Sequence, residues 1–135
     1  MLNTNNNIKN PGLNILPPGV ERHIVNGGGL TAFQVFPDDE LEIVNNEGNQ
    51  ICEIICFNKD GNSDVGIFNL KANNEKNFIR NILDGNDETI LATNYQLKKR
   101  NLKISNSKSS IIFDLDTGPG EKIELRSKDK CYVIF

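Results

Sequence analysis

The chain has 135 residues, 37% of them hydrophobic, and a formal charge of -3, which suits one folded domain burying about two-thirds of its unfolded surface beneath a polar exterior. Fifteen Lys and Arg against eighteen Asp and Glu, spread without a basic block, give no footprint for tracking a phosphate backbone, and no apolar run approaches the roughly 20 residues that cross a bilayer. The first ten residues are rich in Asn and lack the apolar centre of a signal peptide, so the sequence reads as cytoplasmic, with neither nucleic acid nor membrane as partner.

Residues 1–19 read as an extended N-terminal segment, because Pro11-Gly12 and Pro17-Pro18-Gly19 deny both helix and central strand. Residues 20–135 read as a single β domain. A first strand over residues 20–25 stops at Asn26-Gly27-Gly28-Gly29, and a second over residues 30–36 ends at Pro37-Asp38-Asp39. The third has the cleanest alternation: Leu41, Ile43 and Asn45 face one way and Glu40, Glu42 and Val44 the other. A fourth, over residues 50–57, is apolar on both faces except at Glu53, which predicts a central strand buried between layers. Lys59-Asp60-Gly61-Asn62 supplies a turn, and residues 65–70 are expected to form a fifth strand.

The period then changes. Phe78, Ile79, Ile82 and Leu83 form one helical face with Gly85 beyond it, predicting a short helix over residues 74–84. Residues 89–104 fit several readings, of which one or two helical turns followed by a strand is preferred. Strands return over residues 110–116, 122–127 and 131–135, divided by Thr117-Gly118-Pro119-Gly120 and Lys128-Asp129-Lys130. The expected architecture is mainly β, a cupin-like double-layer sandwich or barrel with one short helical insert. The closing run Cys131-Tyr132-Val133-Ile134-Phe135 is apolar, where natural termini are usually polar, and this suggests the N-terminal domain of a longer protein.

The 21 asparagines are scattered through periodic segments, which fits the codon bias of a genome rich in A and T better than a low-complexity tract. The cysteines, Cys52, Cys56 and Cys131, are odd in number and read as structural thiols of a reducing compartment. Cys52 and Cys56 would share a strand face about 13 Å apart at roughly 3.3 Å per residue, too far for a disulfide.

Chemistry is sparse. His23 is the single histidine, and its spacing to the cysteines matches no zinc motif, so no metal is expected. A Cys-His pair would need His23 beside the fourth strand. The carboxylate pairs Asp38-Asp39, Glu40 with Glu42, and Asp114 with Asp116 fall at turns or on exposed faces and read as solvated charge. Neither glycine-rich turn precedes a helix, as a phosphate cradle requires. Glu53 is the informative exception, because a carboxylate in an apolar strand costs several kcal/mol unless it is paired. An edge position or an ion pair to Arg22, Arg80 or Arg126 would explain it; the functional alternative is a polar group at the mouth of a barrel.

The stretch from Gly28 to Phe57, with Gly29, Phe33, Val35, Pro37-Asp38-Asp39, Leu41-Glu42-Ile43-Val44, Glu47-Gly48-Asn49-Gln50 and Glu53, resembles the opening of the urea carboxylase-associated family. That family has a cupin-like fold, and a related β domain precedes the catalytic part of some glycine cleavage T-protein-like aminomethyltransferases. Glu53 stands where the family has Asp, and the family's later Cys and His metal ligands have no counterpart in this chain. The resemblance implies a non-catalytic N-terminal β domain of an aminomethyltransferase-like protein, serving docking or oligomerisation. It implies no cofactor for this chain, tetrahydrofolate for a downstream domain, and that domain or self-association as partner. The alternative is a free-standing cupin-like protein that binds or acts on a small polar ligand, with Gln50, Glu53 and His23 as ligand-binding residues and none catalytic.

Overall fold

The computed structural model describes residues 29–73 and 77–135. The expected lead-in over residues 1–19 and the strand over residues 20–25, with His23, lie outside the described residues. The strands in chain order are β1 (Ala32–Val35), β2 (Glu40–Asn45), β3 (Cys52–Asn58), β4 (Ser109–Phe113), β5 (Glu121–Arg126) and β6 (Cys131–Ile134). Two short helices, α1 (Phe78–Ile82) and α2 (Glu88–Lys99), come between β3 and β4. The protein is mainly β, as the turn-punctuated alternation predicts.

Strands β1, β6, β3 and β4 form one antiparallel sheet in that order, and β2 and β5 form a second. The alternation in β2 decides how the smaller sheet lies. Leu41 opposes Leu125 and Ile43 opposes Ile123, and all four turn inward to pack with Val35, Ile54, Cys56 and Val133 of the larger sheet. On the outward face Arg126 pairs with Glu40, and Lys122 with Glu42 at 3.4 Å. Exposed pairs of this kind contribute about 0.2–1 kcal/mol each, whereas one fully buried large aliphatic side chain contributes about 1.5–3 kcal/mol. Inward apolar residues therefore set the register. The result is a two-layer β sandwich; among the described residues the sheets share no strand and no closed barrel forms.

Strand β3 is central, flanked by β6 and β4. Its Ile54 and Cys56 face the smaller sheet, while Ile55 and Phe57 face the opposite side with Tyr132, Ile134, Ile79, Leu83 and Leu97. The core is thus divided by the larger sheet, with the helices covering its second face. A bulge marks where β3 leaves regular pairing: Cys52 opposes Phe113, but Glu53 opposes Ile111.

Two segments differ from expectation. Residues 65–70 hold a 3-10 helix, Val65–Phe68, instead of a strand. The Asp64 carboxylate accepts from the Gly66 amide at 2.9 Å and Asn69 stops the turn at φ 62, so local side-chain and left-handed chemistry overrides the apolar run. Most of residues 89–104 belongs to the 12-residue helix α2 (Glu88–Lys99), instead of one or two helical turns followed by a strand. The Asp87 carboxylate caps it by accepting from the Ile90 amide at 2.9 Å. Its far end closes with Asn101 at φ 57, the Leu102 amide donating to the Leu97 carbonyl at 2.8 Å and the Asn101 amide to Lys98 at 3.0 Å.

Candidate functional site

The parity of β3 places Glu53 on the helix side with Ile55 and Phe57, and only 4% of its surface remains exposed. Its carboxylate meets the start of α1. The Phe78 amide donates to Oε2 at 3.0 Å and the Ile79 amide donates to Oε1 at 2.7 Å. These are amides that a helix leaves without intrahelical acceptors, at its electropositive end, so a carboxylate is the natural partner. Of the arginines expected to neutralise Glu53, Arg126 is engaged by Glu40 and Arg80 Nη1 donates to the Ser105 carbonyl at 3.3 Å. Arg22 lies outside the described residues.

Asn77, 2% exposed, completes this junction. Its side-chain oxygen accepts from the Arg80 amide at 3.0 Å, capping α1, and its Nδ2 donates to Ser107 Oγ at 2.8 Å. The residue adopts φ 48, which asparagine tolerates better than most side chains. Sequence reasoning missed it, although an asparagine immediately before a helical apolar stripe is the available N-cap signal.

Gln50 is exposed in the loop before β3, where its Nε2 donates to Glu47 Oε2 at 2.9 Å and its carbonyl accepts from Asn45 Nδ2 at 3.0 Å. Glu53, by contrast, is buried beneath α1, so the two belong to different surroundings. His23 lies outside the described residues. The loop bearing Gln50 clasps the β4–β5 loop: the Asn49 amide donates to the Thr117 carbonyl and the Gly120 amide to the Asn45 carbonyl, each at 2.7 Å. Gly48 holds φ 74 there, and a Cβ on it would lie 2.6 Å from the Pro119 nitrogen, so this position requires glycine.

All three cysteines are free thiols. Burial, and then the charge of Glu53, pushes Cys52 up to about 11. Cys56 is also raised, first by its hydrogen bond with Cys131 and then by burial. Raised thiols stay protonated at neutral pH and are poor nucleophiles. Ser127 Oγ lies 3.6 Å from Cys131 Sγ and extends this buried polar contact. Among the described residues no three His, Cys, Asp or Glu side chains converge as metal ligands, and no helix is long and apolar enough to cross a membrane.

No family model and no solved structure matches the chain, so the resemblance to the urea carboxylase-associated and T-protein-like proteins rests on the residues quoted for it. Over 120 residues the chain is 30% identical to the trimethylamine-oxide aldolase of Ruegeria pomeroyi. The match covers 89% of this chain, which spans only 15% of the length of that aldolase.

Proposed function

We propose that this chain is a non-catalytic β-sandwich module that works by docking or self-association beside a catalytic region, in an enzyme related to trimethylamine-oxide aldolase. The observation that carries the reading is the unequal extent of the likeness, 89% of this chain against 15% of the aldolase, as a module borne on a larger enzyme would give. The use of Glu53 agrees with it, since the buried carboxylate is committed to the amides that seat α1 on the sheet. From the sequence resemblance, the catalytic region is of the tetrahydrofolate-dependent, aminomethyltransferase-like class in the cytoplasm, with the folate held by that region.

The test is size-exclusion chromatography with light scattering on the chain, alone and after co-expression with a polypeptide carrying the proposed catalytic region. A stable complex or a self-associated form is expected. A monomer that neither co-elutes with that polypeptide nor alters its activity refutes the proposal. The substrate for which that aldolase is named favours a second reading, in which the module itself binds a small amine oxide. A saturable rise in melting temperature with trimethylamine N-oxide would support that reading, and its absence would count against it.

A further inference from the structure

Charge is uneven around the end of α2. Lys98, Lys99, Arg100 and Lys103 place four cations within six positions of a chain whose net charge is -3. Among the described residues, ion pairs engage Lys59, Lys122 and Arg126, and no carboxylate lies within 4.0 Å of Lys98, Lys99 or Lys103. Arg100 is occupied differently, its guanidinium 4.4 Å from the centre of the Tyr132 ring. Cations in a last helical turn complement the helix dipole, which accounts for Lys98 and Lys99. Lys103 lies beyond the left-handed stop at Asn101, where helix-end electrostatics does not require it.

Lys98 and Lys103 border a groove of about 260 Å³ with Asn94 and Asn101 on its walls and Leu97, Leu102 and Ile104 among its lining. The same face continues up the helix. Leu91, Tyr95 and Lys98 fall at i, i+4 and i+7, so they form one stripe. Leu91 is 56% and Tyr95 63% exposed, unusual for large apolar side chains set one turn apart. From Leu91 to Lys98 the stripe runs about 10 Å at 1.5 Å per residue, longer than a single small carboxylate would cover.

We propose that this groove and stripe dock an acidic polypeptide segment, with carboxylates against Lys98 and Lys103 and apolar side chains over Leu102, Ile104, Leu91 and Tyr95. Charge complementarity favours this occupant: cations with no carboxylate in reach among the described residues border an apolar floor, and a segment alternating acidic and apolar residues satisfies both. The inference deepens the docking reading above, on which it rests for the existence of a polypeptide partner.

The probe is a short fluorescein-labelled peptide of glutamate, leucine and phenylalanine, titrated by anisotropy and by amide chemical-shift mapping. Saturable binding is expected, with shifts centred on Asn94, Lys98, Asn101 and Lys103 and affinity falling as salt rises. The double variant K98E/K103E should bind about tenfold more weakly, and K98Q/K103Q by an intermediate factor, with the melting temperature lowered by no more than about 5 °C through the lost helix-dipole contact of Lys98. Equal binding of a lysine-based peptide with the same apolar residues, shifts centred elsewhere, or the same shifts from inorganic phosphate alone would overturn the proposal. Co-elution with the polypeptide carrying the catalytic region separates the two claims. If K98E/K103E still co-elutes undiminished, docking stands and this surface is wrong; if the native chain does not co-elute, the docking reading itself fails.

Discussion

Replacing Glu53 tests whether its carboxylate holds the helical layer on the sheet. Glu53→Gln preserves size and one acceptor but sets an amide NH2 group against an N–H of α1, so at least one of the bonds at 2.7 and 3.0 Å is lost. A hydrogen bond to a charged group contributes about 1.5–3 kcal/mol, and a buried donor left unsatisfied costs about 1–3 kcal/mol. The expected destabilisation is about 2–3 kcal/mol for Glu53→Gln and about 3–5 kcal/mol for Glu53→Ala, which removes both acceptors and leaves a void. With no tryptophan in the chain, urea unfolding followed by far-ultraviolet circular dichroism is the suitable assay. Amide exchange supplies the local readout, because Phe78 and Ile79 should exchange faster before the strands loosen. A Glu53→Gln midpoint equivalent to a loss of less than about 0.5 kcal/mol, with unchanged exchange at Ile79, would refute the reasoning.

Asn77→Ala removes the cap on the Arg80 amide and the donor to Ser107 Oγ, and urea unfolding should show a loss of about 2–3 kcal/mol. Gly48→Ala forces a Cβ against Pro119 at positive φ; a loss of about 2–3 kcal/mol is expected, with amide shifts concentrated in the two clasped loops. Stability should fall as pH rises from 9 to about 11, because folded Cys52 keeps its proton after the unfolded chain has released its own. The Cys52 contribution is at most about 2.7 kcal/mol. The raised Cys56 and Tyr132 act in the same direction, so the check is the pH slope of Cys52→Ala, which must be shallower than that of the native chain.

The sandwich was legible because its strands carry period-2 patterns with turn residues between them: the alternation of Leu41 and Ile43 against Glu40 and Glu42 is the observed register. The apolar faces of β3 likewise announced a central strand. Residues 65–70 misled because Val65, Ile67, Phe68 and Leu70 resemble a strand, while the deciding groups, Asp64 and Asn69, are the polar residues that flank Val65–Phe68. In α2, the β-favouring Thr89, Thr93 and Tyr95 blurred the helical period, and the decisive signals were again at the ends, Asp87 and Asn101. Glu53 stood out in the sequence as the awkward residue, but the two amides that donate to it lie 25 and 26 positions away in the chain. No local pattern encodes that pairing.

The placement of Glu53 also explains why a strand otherwise suited to an apolar core carries a charge. Helix α1 has only five residues, too few to persist by its own hydrogen bonds. It is held from outside, by Glu53 on its first amides, by Asn77 on the next, and by burial of Ile79 and Leu83 against Phe57 and Tyr132. Its end is then tied to the second helix, since Asn94 Nδ2 donates to the Leu83 carbonyl at 2.9 Å. Asn94 is also a wall of the basic groove. A continuous chain of contacts therefore runs from the carboxylate in the sheet, through the short helix, to the surface proposed for docking. Loosening Glu53 should weaken the groove and the fold together, whereas charge reversal at Lys98 and Lys103 should weaken mainly the groove and cost the fold only the small helix-dipole contribution of Lys98.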